Sequence, residues 1–99
     1  MQPGLVSIII PTYNRAHLLA DAIHSVLAQD YPYKQIIVVD DGSQDNTRQL
    51  VSGFAEVEYI YQTNQGQAAA RNAGLRQCRG EYVASLDSDD IWDLSLIHI

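Results

Sequence analysis

Residues 5–10 read LVSIII, and this stretch decides the fold. The run is short, β-branched and nearly continuous, which predicts a strand buried on both faces, as in a parallel sheet. Pro11 is expected to stop it. A second run, Gln35–Asp40 (QIIVVD), ends in acid; Val57–Gln62 (VEYIYQ) alternates in part and reads as a third strand; Glu81–Leu86 reads as a fourth. Leu18, Leu19, Ala22, Ile23, Val26 and Leu27 recur at helical spacing. They predict a helix from about Ala16 to Gln29, with Asn14 as its N-cap and Tyr31-Pro32 as its stop. Leu50, Val51 and Phe54 mark one face of a short helix, and Ala68–Gln77 is a run of good helix formers. Gly74 within it is a tolerated interruption or a close-packing point, and Gly80 breaks the helix. The order β-α-β-α-β-α-β with short connections predicts an α/β, Rossmann-like half-domain: a parallel sheet of about four strands flanked by helices.

Ninety-nine residues fit one domain or part of one. Twelve acidic residues against six basic ones give a net charge of −6, which argues against nucleic acid as a partner. Cys78 is the lone cysteine, so neither a disulfide framework nor a cysteine-based metal site is available; it reads as an inert thiol late in a helix. No apolar run approaches the roughly 18 residues of a membrane span. No basic segment followed by an apolar core opens the chain. The expectation is a cytoplasmic protein, with peripheral attachment of a longer parent to the inner face of a membrane left open. His17, His24 and His98 are scattered and read as surface or satisfied positions.

In an open parallel sheet, ligands bind beyond the carboxyl ends of the strands, where strand order reverses. Every unusual residue in this chain falls at such an end: Pro11-Thr12-Tyr13-Asn14, Asp40-Asp41-Gly42-Ser43, Asn64-Gln65-Gly66 and Asp87-Ser88-Asp89-Asp90. Each admits two readings. The Asp-x-Asp either holds a hard divalent cation through oxygens or is a solvated turn capping a helix. Asp40 and Asp41 either accept from a base or a ribose, or cap the next helix with Ser43. Tyr13 offers a face for a nucleobase or packs in its loop. Arg71 meets a phosphate or solvent, and Gly66 admits a ligand or serves the turn. The Gly-x-Gly-x-x-Gly fingerprint and the P-loop are both absent, which disfavours a nicotinamide-binding domain and a P-loop hydrolase.

Taken together, the segments VSIIIPTYNRAHLLADAIHSVLAQDYP, IIVVDDGSQDNT and NQGQAAARNAGLRQCRGEYVASLDSDDIW closely resemble the N-terminal half of family-two glycosyltransferases with the GT-A fold. The resemblance covers Val6 to Trp92, with four motifs in order. It implies an enzyme that transfers a sugar from a nucleotide-diphosphate donor, UDP-linked by expectation, with inversion at the anomeric carbon. It implies that Pro11, Thr12, Tyr13 and Asn14 form the nucleotide-binding segment, the tyrosine stacking on uracil. It places Asp41 on the base with Asp40 beside it, and maps the Gly-x-x-x-x-Arg-Asn segment to Gly66, Arg71 and Asn72, with the arginine near the nucleotide or diphosphate. It maps the Asp-x-Asp motif to Asp87, Ser88 and Asp89. Asp89 is the metal ligand of choice, Asp87 faces ribose or sugar, and Asp90 shares either role. The implied cofactor is Mg2+ or Mn2+, which neutralises charge on a departing diphosphate.

The resemblance places the base that activates the acceptor past residue 99, so the expected catalytic set within this chain is empty. Residues 1–92 read as the donor-binding part. Residues 93–99 (DLSLIHI) depart from the family pattern, lacking its proline, and read as an atypical tail, truncated or non-native. The acceptor is unidentified: glycan, lipid or protein. Two other readings stand beside this one. A nucleotidyltransferase would share the sheet but usually carries a glycine-rich basic loop after strand one, whereas Thr12 to Leu18 holds only Arg15 and no glycine. A non-catalytic module would self-associate into a homo-oligomer through its unfinished face.

Overall fold

The structure, a computed structural model, describes residues 2–29 and 31–86. Seven elements follow one another: β1 (Gln2–Thr12), α1 (Ala16–Leu27), β2 (Lys34–Asp40), α2 (Thr47–Ser52), β3 (Val57–Tyr61), α3 (Gln67–Gln77) and β4 (Gly80–Ser85). The strands form one four-stranded sheet in the order β3-β2-β1-β4, and every neighbouring pair is parallel. The α/β class and the parallel sheet expected from the apolar runs are therefore observed. Strand order reverses between β1 and β4, which sets the crevice of the sheet at their carboxyl ends.

The continuous apolar character of β1 and β2 is explained by helices on both faces. Val6, Ile8 and Ile10 of β1, with Ile36 and Val38 of β2, pack with Leu19, Ile23 and Val26 of α1 and Val51 of α2. Ile9, Ile37 and Val39 point the other way and meet Ala70 and Ala73 of α3. Each fully buried isoleucine or valine contributes about 1.5–3 kcal/mol by transfer from water. Helix α3 reaches the sheet through small residues only. A Cβ on Gly74 would lie 2.6 Å from Ile9 Cγ2, so Gly74 is a close-packing point.

Several boundaries differ from the sequence reading: β1, β2, α3 and β4 begin one to three residues earlier, at Gln2, Lys34, Gln67 and Gly80, and β4 ends at Ser85. Pro11 does not stop β1, which runs on to Thr12 although β1 is a central strand. Ile9 C=O accepts from Leu86 N–H, so Pro11, two residues on, turns its missing N–H toward the β4 side, past the last described pairing there. Helix α1 ends at Leu27 rather than Gln29. Lys34 ends it from β2, its Nζ donating to the carbonyls of Val26 (2.9 Å) and Gln29 (2.7 Å). The third strand stops at Tyr61, one residue early. Among the described residues no helix is long and apolar enough to cross a membrane. The aspartate cluster at 87–90 and the tail at 93–99 lie outside the described residues.

The amino end of the sheet is closed by a buried polar network. Ser7 Oγ donates to Gln35 Oε1 (2.7 Å) and accepts from Gly80 N–H (2.9 Å). Gln35 Oε1 also accepts from Arg79 N–H, while its Nε2 donates to Glu58 Oε2 and to the Gln77 carbonyl. Arg79 pairs with Glu58 at 3.2 Å. Cys78, next to this network, is half-buried, donates to the Gly74 carbonyl, and has its thiol pKa pushed up by burial, in keeping with an inert thiol.

Candidate functional site

The carboxyl ends of β1, β2 and β3 carry three loops, 13–15, 41–46 and 62–66, and side-chain bonds stitch them together. Asn14 stands in the left-handed region, with φ of 50°. Its N–H donates to Ser43 Oγ (2.7 Å), and its Oδ1 accepts from Gln44 N–H (2.7 Å). Asn14 is therefore not the N-cap of α1, as its position had led us to expect. The first turn of α1 is served from across the rim: Asp45 Oδ2 accepts from Ala16 N–H at 3.2 Å. The same carboxylate accepts from the N–H of Thr47 (3.1 Å) and from its hydroxyl at the start of α2. One acid thus satisfies orphan donors of two helices.

Asp40 and Asp41 are both buried, 1% and 7% exposed, and neither caps α2. They point to opposite faces of the sheet. Asp40 Oδ1 accepts from Ser43 N–H (2.8 Å), closing the turn, and Oδ2 accepts from the phenol of Tyr59 on β3. Burial and that bond push the Tyr59 pKa up to about 12, against an opposing pull from Arg48. The Arg48 guanidinium lies 5.6 Å from the Tyr59 ring centroid and 5.2 Å from that of Tyr61.

Asp41 faces α3. Its Oδ1 accepts from Gln62 Nε2 and Gln65 N–H, both at 2.8 Å, and its Oδ2 from Gly66 N–H at 3.0 Å. Burial pushes the carboxyl up, but these three donors outweigh it and hold the pKa below the usual range. Asp41 is accordingly ionised at neutral pH. Of the two readings given for this acid, capping of the next helix is not what is observed: Asp41 orders the turn before the helix after it. Gly42 permits this: its φ is 90°, and a Cβ there would sit 3.0 Å from Asn64 N. Gly66 also has positive φ, 101°, yet among the described residues nothing lies within 4 Å of where its Cβ would be. Its glycine answers the backbone conformation, and the space beside it is open.

Tyr13 is 45% exposed at the rim, with its ring open to solvent. Thr12, beside it, is 4% exposed, and its hydroxyl has no hydrogen-bond partner among the described residues. Pro11 is buried in β1. Arg71, in the second turn of α3, donates from Nε to Ser85 Oγ at 3.3 Å, which brings its guanidinium to the carboxyl end of β4. The structure therefore gathers Thr12, Tyr13, Asn14, Asp40, Asp41, Gly66 and Arg71 along one edge. Asp87, Ser88 and Asp89 lie outside the described residues, and among those described no three His, Cys, Asp or Glu side chains gather to hold a metal. Sequence reasoning missed Asp45, Tyr59 and Gln62. Asp45, two residues before Thr47 at the start of a helix, carries a capping signal; Tyr59 and Gln62 carry none.

Residues 7–98 match the profile of glycosyl transferase family 2. The chain belongs to that family. Within it, the chain is 45% identical over 95 residues to the Escherichia coli UDP-Glc:alpha-D-GlcNAc-diphosphoundecaprenol beta-1,3-glucosyltransferase WfgD, covering 93% of this chain and 38% of that protein. Among solved members it resembles the mannosyltransferase PcManGT of Pyrobaculum calidifontis in complex with GDP-Man and Mn2+. There the TM-score is 0.82 at 35% identity, over 88% of this chain and 28% of that one. S. aureus TarS 1–349 in complex with UDP-GlcNAc gives 0.82 and 35%, over 86% and 26%. The chain spans well under half the length of the curated relatives it matches, from 38% of one down to 14% of another. The family's GT-A fold is the one observed, and membership goes against the nucleotidyltransferase reading.

Proposed function

We propose that the chain forms the nucleotide-sugar-binding half of an inverting glycosyltransferase, with a UDP-linked donor. The observation that carries this reading is the rim itself. It combines an open tyrosine ring, a buried hydroxyl without a described partner, an ionised buried carboxylate and an arginine, all along the carboxyl edge of the sheet. Solved relatives support it, since they hold GDP-Man with Mn2+ and UDP-GlcNAc.

In this reading the Tyr13 ring stacks on the base. Asp41 accepts from a base N–H: a carboxylate offers about four lone-pair positions, and the described structure fills three. The Thr12 hydroxyl takes a ligand or a ligand-held water as its partner. Arg71 neutralises the diphosphate. Asp40 and Asp41 are engaged by the chain's own donors, so neither is left to ligate a metal with both oxygens. The oxygen donors of Asp87 and Asp89, with Ser88 between them, fit a hard cation such as Mg2+ or Mn2+. Bound there, the cation would offset charge developing on the diphosphate leaving group. Displacement with inversion also needs a base on the acceptor hydroxyl. In this reading the described residues serve donor binding, and the resemblance puts that base outside them.

Titration calorimetry with UDP, in the presence and absence of Mn2+, tests the proposal. The expected result is metal-dependent binding that Tyr13→Ala weakens and that loses its metal dependence in Asp89→Asn. GDP in a parallel arm decides the base. No heat with either nucleotide would overturn the reading.

A further inference from the structure

The geometry points to Tyr59 as a positioning residue for the base-binding segment, although it stands on the edge strand β3 and lies outside the four motifs quoted above. The inference rests on the donor-binding reading above. A continuous series of hydrogen bonds joins the Tyr59 phenol to that segment. The phenol donates to Asp40 Oδ2, Asp40 Oδ1 accepts from Ser43 N–H, Ser43 Oγ accepts from Asn14 N–H, and Asn14 Oδ1 accepts from Gln44 N–H.

The third of these bonds matters most. The N–H of Asn14 belongs to the peptide unit that joins Tyr13 to Asn14, and that unit is planar. Fixing it fixes the backbone on which the Tyr13 ring is carried. Asn14 is held at φ of 50°, a conformation that costs a non-glycine residue energy unless its surroundings determine it. Ser43 and Gln44 do so, and Ser43 is itself held by Asp40. Asp40 is 1% exposed and carries two described donors. Removing one lets its side chain turn and releases the Ser43 turn. Arg48, over the rings of Tyr59 and Tyr61, holds Tyr59 from the outside.

Tyr59→Phe removes the phenol oxygen alone and keeps the ring against Arg48. We expect UDP affinity, measured with Mn2+ well below the melting temperature, to fall by roughly three- to tenfold. The Ser43 and Asn14 amide resonances should shift before nucleotide is added. Ser7→Ala, which damages the network at the opposite end of the sheet, serves as the stability control and should leave UDP affinity unchanged. Equal loss of affinity in both variants would show a general effect of stability and overturn the inference. Unchanged affinity in Tyr59→Phe would overturn it while leaving the donor reading intact. If the unsubstituted chain bound no nucleotide, the donor reading would fall and this inference with it.

Discussion

The two ends of the sheet bury polar side chains in opposite ways. At the amino end, Ser7 and Gln35 sit beneath the start of β4, with both Gln35 amide groups and the Ser7 hydroxyl bonded within the chain. At the carboxyl end, the Thr12 hydroxyl is as deeply buried but lacks a described partner, and Asp41 has acceptor capacity left over. A buried polar group without a partner costs about 1–3 kcal/mol. A closed network serves the fold, whereas an open one is retained where something else completes it. The contrast supports the proposed placement of function at the rim without reference to any motif.

The largest expected effect lies at the closed end. In Gly80→Ala the new Cβ would meet Leu5 O at 2.5 Å and Ser7 N at 2.8 Å, and both are backbone atoms in a central strand that cannot yield. The variant should lose about 3 kcal/mol or more, or fail to fold, as read by chemical denaturation. A mild loss would mean that the amino end is looser than described. Ser7→Ala comes next: it strands Gly80 N–H and weakens Gln35, for a loss of about 1–3 kcal/mol.

Asp45→Asn follows, at about 1–2 kcal/mol, since the two carboxylate oxygens serve the first turns of α1 and α2 separately and an amide keeps only one acceptor oxygen. It also carries a pH signature. Desolvation raises the Asp45 pKa, but the Thr47 hydroxyl and the Ala16 and Thr47 amides outweigh it, so the folded pKa lies below the unfolded one. The stability it contributes is therefore present above the unfolded carboxylate value, near 4, and is lost as pH falls through the folded value. Asp41 adds to the same limb. Melting temperature followed from pH 7 down to 2 should fall less steeply in Asp45→Asn than in the parent; parallel curves would remove Asp45 from the account.

The smallest effect should have the opposite sign. Thr12→Val replaces a hydroxyl without a described partner by a methyl group and should be neutral or stabilising by up to about 1 kcal/mol, while weakening UDP binding. Destabilisation by the amount seen for Ser7→Ala would erase the difference between the two ends.

Much of this was legible in the sequence, for identifiable reasons. LVSIII and QIIVVD are apolar on consecutive residues because helices cover both faces of β1 and β2, and that pattern does not depend on partners far along the chain. The rim residues were legible as a set because strand ends follow from strands. Their wiring was not. Asn14 looked like a cap because capping is judged from neighbours in sequence, yet the donor at Ala16 is met by Asp45, 29 residues away. The capping alternative for Asp41 rested on the same local rule, whereas Asp41 orders Gln65 and Gly66, 24 and 25 residues on. Pro11 looked like a stop because its tolerance depends on where β4 ceases to pair, which no local rule contains.

Amide chemical-shift mapping with UDP and Mg2+ tests the central claim most directly, because it reads both ends of the sheet in one experiment. The account predicts shifts concentrated at Thr12, Tyr13, Asn14, Asp41, Gly66 and Arg71, with Ser7, Gln35 and Gly80 unmoved. Shifts centred on Ser7, Gln35 and Gly80, or no shifts at saturating nucleotide, would contradict it.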